Sequence, residues 1–180
     1  MDVVLAGIKV IDTRMVHDAI ELARSSSEPY LFNHAMRSWL FGVLLAEGAK
    51  PAPDPELLAV SAILHDLGLT DRYSALERFE VDGANAAGSF LKERGIPAHQ
   101  IQLVWDAIAL HTTRSIALHK EPEVAITHSG IFVDVIGAGL RADSSRQASR
   151  NSRGVPALVD EKAIPGLPLR CRSPEAGHKL

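Results

Sequence analysis

The stretch "LAVSAILHDLGLTDRY", residues 58–73, decides the fold. It begins with an apolar run of helical character and stops on His65 and Asp66, and Gly68 follows almost at once. Such a run is typical of a buried helix. A carboxylate at the end of a buried helix costs on the order of several kcal/mol unless it is paired or coordinated. The stretch therefore predicts a core helix that ends on an imidazole and a carboxylate, and Asp66 could be either a functional residue or an ordinary helix-end residue beside Gly68.

Composition limits the classes of protein to which the chain can belong. It has 180 residues, 46% of them apolar, and a net charge of -3, which fits one domain with a real core and gives no reason to expect nucleic acid as a partner. The single cysteine, Cys171, excludes an intramolecular disulfide and a thiolate metal site. No apolar run reaches the roughly 18 to 20 residues of a membrane span, and the first residues lack a secretory pattern. We expect a cytoplasmic protein with a small-molecule substrate and no membrane partner, and a homodimer remains open.

Helices account for most of the chain up to residue 140. Pro55 suits the first turn of a helix, and Gly48 and Gly95 suit helix ends. No alternating run is long enough to predict a sheet, so the predicted fold is all-α, a compact helical bundle. The predicted helices cover about residues 12–24, 31–47, 55–66, 78–95, 97–112 and 122–140.

The composition changes after Leu140. "RADSSRQASRNSRG" is rich in serine and arginine, and the last residues add prolines and glycines without periodicity. Segments of this kind bury too little apolar surface to offset the entropy of ordering. We therefore divide the chain into a helical domain, residues 1–140, and an irregular tail, residues 141–180, which we expect to be loosely held or disordered.

Five polar residues lie on predicted helices among mostly apolar neighbours. One divalent cation would account for all of them, and their nitrogen and oxygen donors suit zinc, iron or manganese. The alternatives are ordinary: a lone helical histidine is commonly a satisfied core or surface residue, and Asp134 could pair with Arg37. Spacing alone leaves both interpretations open. The five residues are His34, His65, Asp66, His111 and Asp134.

Four segments of the sequence, taken in chain order, resemble the motifs of one family. They are "YLFNHAMRSWLFG", "AILHDLGLTDRY", "RFEVDGANAAGSFL" and "HSGIFVDVIGAG". They resemble the HD-domain superfamily of metal-dependent hydrolases, and within it the cyanamide-hydratase-like proteins. The resemblance implies an HD-type bundle that covers residues 12–140. It also implies one divalent metal ion with an open coordination position for water or substrate, held by His34, His65, Asp66 and Asp134.

The sequence departs from the motifs of the superfamily at two places, and both affect the activity that we expect. Many phosphohydrolases of the superfamily carry a lysine where this chain has Leu69, and we expect Arg37 and Arg72 to be the only basic residues near the site. The segment before Gly83 lacks the histidine of two-metal members, so we expect one ion. The resemblance implies hydration or hydrolysis of a small nitrogen-containing substrate such as a nitrile. The alternatives are a phosphohydrolase acting on a nucleotide or another phosphate ester, and a non-catalytic metal-stabilised binding domain.

Further residues are candidates for supporting roles. Glu80 or His111 would move protons, and Arg37 would pair with Asp66 or Asp134. Alternatively, Glu80 and Asp82 are solvated charges that favour a helix start. We assign no site role to the remaining histidines, which are His17, His99, His119, His128 and His178.

Overall fold

The structure, a computed structural model, describes residues 2–143, with side chains for residues 3–137. It is mostly helical, which confirms the predicted all-α class. A two-stranded antiparallel hairpin precedes the helices. In chain order the elements are β1 Asp2–Leu5, β2 Ile8–Ile11, α1 Arg14–Ser26, α2 Pro29–Ala46, α3 Pro55–Leu64, α4 Phe79–Lys92, α5 Ala98–Ala109, α6 Arg114–Ala117 and α7 Pro122–Asp143.

Helix α3 is the centre of the fold. Every residue from Leu57 to Leu64 is buried, because α1, α2, α5 and α7 all pack against it. A helix that is apolar all round requires neighbours on every side. Its start is fixed by Asp54, whose carboxylate accepts the backbone N–H groups of Glu56 and Leu57 at 2.9 and 3.0 Å. The central helix therefore carries its last residues into the middle of the bundle.

Helix α3 is shorter than predicted, and this matters for the site. It ends at Leu64, and His65 is its C-cap, whereas Asp66 precedes a 3-10 turn, Leu67–Leu69. Position 68 is a glycine because the backbone of α4 passes so close to this turn that a side chain would not fit. A Cβ atom on Gly68 would lie 1.9 Å from the carbonyl oxygen of Phe79 and 2.8 Å from the nitrogen of Gly83.

Helices α2 and α7 also make a close approach. A Cβ atom on Gly130 of α7 would lie 2.6 Å from the carbonyl oxygen of Ser38 and 2.7 Å from the nitrogen of Gly42, both on α2. Glycine at these positions lets two helix backbones pack closely. The contact holds His34 of α2 beside Asp134 of α7.

The expectation that the chain has no sheet was wrong for the first eleven residues. Strands β1 and β2 pair from Asp2–Ile11 to Leu5–Ile8, and the turn residues Ala6 and Gly7 both have positive φ, 52° and 80°. Ile8 and Val10 are buried and Lys9 between them is exposed. Four residues give too short an alternation to distinguish a strand from a loop. Helix α6 was also missed, because it has only four residues.

Helix α7 continues to Asp143, past the domain boundary predicted at residue 140. The rest of the predicted irregular tail, residues 144–180, lies outside the described residues. Among the helices that are described, none has the length and hydropathy that crossing a membrane requires.

Candidate metal centre

Three side chains from two helices meet at one point beside the end of α3. His34 comes from α2, and His65 and Asp66 follow α3 directly. Each offers one ligand atom, and these atoms lie within 4.8 Å of one another. His65 Nε2 is 3.2 Å from His34 Nε2 and 3.1 Å from Asp66 Oδ2. The side chain of His65 is 1% exposed, so water does not explain this convergence.

The hydrogen bonds of both imidazoles fix which nitrogen faces the centre. His65 Nδ1 donates to the carbonyl oxygen of Ala62 at 2.8 Å, and His34 Nδ1 donates to Asp134 Oδ2 at 2.6 Å. Since both acceptors are oxygens, Nδ1 carries a proton in each ring, and Nε2 is the nitrogen left to coordinate a metal ion. The two Nε2 atoms therefore face each other, and that of His65 also faces a carboxylate oxygen of Asp66.

This arrangement fits a divalent cation. When both rings bind through unprotonated Nε2 atoms, two nitrogens and one carboxylate oxygen point into the same space, and one divalent cation between them would satisfy all three. Imidazole and carboxylate donors suit zinc, iron, manganese and similar ions. The described residues His34, His65 and Asp66 would hold such an ion and leave its remaining positions open, as a catalytic site requires.

Asp134 lies behind His34. Besides accepting from His34, it accepts two hydrogen bonds from Arg37, from Nε at 2.7 Å and from Nη2 at 2.9 Å. The structure thus contains the Arg37–Asp134 pair that the sequence left open. Asp134 is not in the group of atoms that lie within 4.8 Å of one another. Its role as a fourth ligand stays a prediction, and its visible role is to orient the His34 ring.

The charges of the centre shift several pKa values. Burial opposes ionisation of Asp66, but the adjacent His65 outweighs it and lowers the pKa of Asp66; the same pair raises the pKa of His65, although burial opposes its charge. Burial likewise opposes ionisation of Asp134, but hydrogen bonds from His34 and Arg37 lower its pKa. Both carboxylates are therefore ionised at neutral pH, as metal coordination and ring orientation require.

A pocket of about 290 Å³ opens over the three converging side chains. His111 is in its wall, with Nδ1 donating to the carbonyl oxygen of Ile108 and Nε2 at 3.7 Å from Asp66 Oδ1. Burial and the nearby His65 lower the pKa of His111 to about 4, so it is neutral at pH 7. A neutral imidazole beside the centre can accept a proton, and the predicted proton-moving role of His111 stays a prediction.

The pocket also contains residues that sequence reasoning missed. His128, to which no role was assigned, is 3% exposed, and its Nδ1 donates to the carbonyl oxygen of His111 at 2.6 Å. Its signal was present in the sequence: His128, Ile131, Phe132 and Val135 recur at helical spacing on α7, and all line the pocket. Thr112, in the turn after α5, and Arg114, the first residue of α6, complete the wall. The sequence did not indicate the direction of this segment.

Glu80 and Asp82 are not solvated helix-start charges, because they are 2% and 6% exposed. Glu80 Oε1 accepts hydrogen bonds from Thr112 Oγ1 and Arg78 Nη2, both at 2.7 Å. Asp82 accepts the backbone N–H of Ala75 at 2.7 Å, which holds the loop before α4. Glu80 thus lies beneath the pocket wall at Thr112, and its predicted catalytic role stays a prediction.

We expect Glu80→Gln to cost about 1 kcal/mol of stability at pH 7 and nothing in acid. Burial opposes ionisation of Glu80, but its hydrogen bonds from Arg78 and Thr112 lower its pKa from the ordinary 4.5. Stability from such a group is fully present above its unfolded-state pKa and is lost as the pH falls through its lower folded-state pKa. Denaturant unfolding in a chelator, at pH 7 and at steps below 4.5, measures the difference. Exposed Glu77→Gln is the control, and a difference that persists unchanged in acid would show that the Glu80 charge is not its source.

This all-α domain presents two imidazoles and a carboxylate to one point, a donor set that could hold a metal ion. The chain matches the HD domain family over residues 31–137, from α2 into α7, and it belongs to that family. The family indicates a metal-dependent hydrolase, and the matched span contains every residue of the centre. No curated protein matches the sequence. The match gives no support to a cyanamide-hydratase-like subgroup.

Proposed function

We propose that this protein hydrolyses a small substrate at a divalent metal ion held by His34, His65 and Asp66. The observation that carries the proposal is the approach of His34 Nε2 to His65 Nε2 at 3.2 Å, with both Nδ1 protons already donated elsewhere. A divalent ion there would lower the pKa of a bound water toward neutrality and polarise the substrate. The residues of this chain supply the geometry and the proton handling.

The surrounding side chains suit such a reaction. Asp134 and Arg37 fix the His34 ring, and the carbonyl oxygen of Ala62 fixes the His65 ring, so neither ring reorients during turnover. His111 Nε2, neutral and 3.7 Å from Asp66 Oδ1, is placed to take a proton from the attacking water and return it to the leaving group. The pocket of about 290 Å³ limits the substrate to a small molecule or one end of a larger one.

A small nitrile or related nitrogen compound is the substrate class that the sequence resemblance implies. Ile131, Phe132 and Val135 give the pocket an apolar side that an uncharged molecule would accept. On this proposal, water adds to the electrophilic carbon and His111 moves the proton to nitrogen. The support for this class is the sequence resemblance and the size of the pocket.

A phosphate ester is the second candidate, and a specific observation favours it. The argument against phosphate was the absence of a lysine at position 69, but Leu69 is 52% exposed and does not line the pocket. Arg114 does line it. The expectation that Arg37 and Arg72 were the only close cations was wrong, because the loop before α6 brings Arg114 to the pocket.

Elemental analysis of the purified full chain, followed by a screen for ammonia and phosphate release, tests the proposal. We expect about one equivalent of a divalent metal and a product whose formation stops with a chelator and returns with the metal. Asp66→Asn, which keeps the shape of the side chain but removes its charge, is the matched variant. It should lose both the bound metal and the metal-dependent turnover. Metal-free wild type with undiminished turnover would remove the proposed function.

A further inference from the structure

We propose that the groove between α1 and α4 is an intramolecular docking site for the arginine-rich segment of this chain that follows α7, residues 144–153. The groove has a volume of about 810 Å³ and shares no residue with the pocket over the metal centre. Helices α1 and α4 both pack on α3 and form its two walls, and residues 72–75, in the loop before α4, complete it. The inference does not depend on the proposed function.

The groove contains carboxylates that are free to bind a cation. Two of its four carboxylates are occupied, since Asp18 pairs with Arg94 at 3.2 Å and Asp82 accepts a backbone N–H at 2.7 Å. The other two are Glu21 on α1 and Glu93 directly after α4, and both are exposed. Neither has a side-chain partner within the part of the chain that the structure describes. Each wall therefore presents one unpaired negative charge.

The hydroxyl groups of the walls add hydrogen-bond acceptors. Ser25 Oγ donates to the carbonyl oxygen of Glu21 at 2.8 Å, and Ser89 Oγ donates to that of Asn85 at 3.0 Å. Since each hydroxyl has one proton, these two oxygens can only accept from a ligand. The cation of the groove that has no carboxylate partner among the described residues is Arg72, which lies 5.2 Å from the centroid of a tyrosine ring. Acceptors thus predominate, and the groove favours a cationic ligand rich in donors.

The deeper part of the groove is apolar. Leu22 and Ala86 are half-buried, and Phe90 is 5% exposed. Arginine suits such a surface, because its guanidinium carries five N–H donors and no acceptor and its methylene stem covers apolar groups. The chemistry of the groove therefore fits a segment that bears arginines.

The chain itself contains such a segment. Residues 144–153, which lie outside the described residues, read "SSRQASRNSR". They include Arg146, Arg150 and Arg153 and no aspartate or glutamate. Their positive charge complements the free carboxylates of the groove.

The direction of α7 brings the start of this segment toward the groove. Asp134 binds His34 and Gly130 lies against Ser38, so α7 runs antiparallel to α2. Beyond Asp134, α7 rises about 14 Å to its C-terminal end, whereas α2 has about 8 Å left between His34 and its first residue. Helix α7 therefore ends beyond the start of α2, where two residues join α2 to the end of α1.

The segment is long enough to enter the groove from there. Ser25, in the last turn of α1, lines the groove. An extended chain spans about 3.3 Å per residue, so residues 144–153 reach about 33 Å. The α1 wall from Asp18 to Ser25 is about 10 Å long. The segment can therefore place arginines along the groove without any movement of the helices.

Limited trypsin digestion of the full chain, with the fragments identified by mass spectrometry, tests the proposal, because trypsin cuts after arginine. The variant Glu21→Gln/Glu93→Gln removes both free charges of the groove. We expect cleavage after the three arginines of the segment to be about 5- to 30-fold faster in this variant than in wild type, the effect of losing two exposed ion pairs. The control Glu47→Gln/Glu77→Gln removes two exposed carboxylates outside the groove and should be cut as wild type is. Equal rates in all three proteins would overturn the proposal.

A nitroxide label locates the segment directly. It is attached at Ser149→Cys, in a full chain whose native thiol is removed by Cys171→Ser. The label should broaden the backbone amide signals of Ser25 and Ser89 equally in dilute and concentrated samples, and it should leave that of Glu47 unchanged. Broadening that occurs only in concentrated samples would place the segment of a second copy in the groove and overturn the intramolecular site. Broadening at other positions alone, or none, would also overturn it.

Discussion

His65→Ala is expected to reduce the metal content to background and to abolish metal-dependent hydrolysis. His65 is at the middle of the three converging residues, 3.2 Å from His34 Nε2 and 3.1 Å from Asp66 Oδ2. Its removal takes away one of the three proposed protein ligands. Loss of a residue that merely supports a ligand costs about 10- to 100-fold in metal affinity, so the loss of a ligand should cost more. Elemental analysis and a competition titration with a chromogenic chelator measure the change.

Two controls make this result interpretable. His17→Ala removes a histidine whose side chain is 68% exposed on α1 and should leave the metal content unchanged. Asp66→Asn removes a ligand charge without opening a cavity, so it separates loss of metal from loss of packing. Metal at full occupancy in both His65→Ala and Asp66→Asn would show that the ion lies elsewhere.

The Asp134→Asn variant tests whether Asp134 is itself a metal ligand, a role that the geometry leaves as a prediction. If Asp134 only orients His34, the metal affinity should fall by about 10- to 100-fold, well short of the effect of Asp66→Asn. If Asp134 is itself a ligand, as the sequence resemblance implies, the two losses should be equal. Circular dichroism on each variant excludes unfolding as the cause, because Asp134 also binds Arg37.

Gly68→Ala is expected to destabilise the domain by about 3 kcal/mol or more. The new Cβ would lie 1.9 Å from the carbonyl oxygen of Phe79, so a backbone segment rather than a flexible side chain must move. The movement would separate α4 from the turn that follows His65 and Asp66. Metal affinity should therefore fall together with stability, which denaturant unfolding with and without metal measures.

Gly137→Ala is the matched control. Gly137 also lies in a helix, α7, but a Cβ atom there would meet nothing within 4 Å. Replacing a helical glycine with alanine at an open position should stabilise the protein by about 0.5 to 1 kcal/mol. Gly68→Ala with a stability within 1 kcal/mol of wild type would show that the close approach at Phe79 is not needed for the fold.

Periodicity was enough to predict the long helices. Asp54, Pro55 and the apolar run to Leu64 are local signals, and the observed α3 follows them closely. The short elements lacked such signals. Four residues in β2 and four in α6 are too few to show a period, and their structure depends on contacts with distant parts of the chain.

The residues of the candidate metal centre and its pocket also fall into two groups, those that the sequence indicated and those that it did not. The adjacent His65 and Asp66 at the end of an apolar run were conspicuous, because burying two polar groups there requires an explanation. His128 and Arg114 were less conspicuous, since a histidine at helical spacing on α7 and an arginine at the start of a four-residue helix are ordinary in sequence. They joined the site only because α7 packs against α2 and the loop before α6 turns toward it.

The resemblance to the HD-domain superfamily supplied the set His34, His65 and Asp66, whereas the sequence by itself determined the helical class, the burial of the apolar run that forms α3 and the unusual position of His65 and Asp66 at its end. These follow from hydrophobic period and from the cost of burying charge, which are properties of neighbouring residues. Only the tertiary structure decided that Asp134 binds Arg37 and His34, and that Arg114 shares the pocket with the centre. Distances between residues 80 to 100 positions apart depend on how helices pack, and helix packing is not encoded in any one stretch.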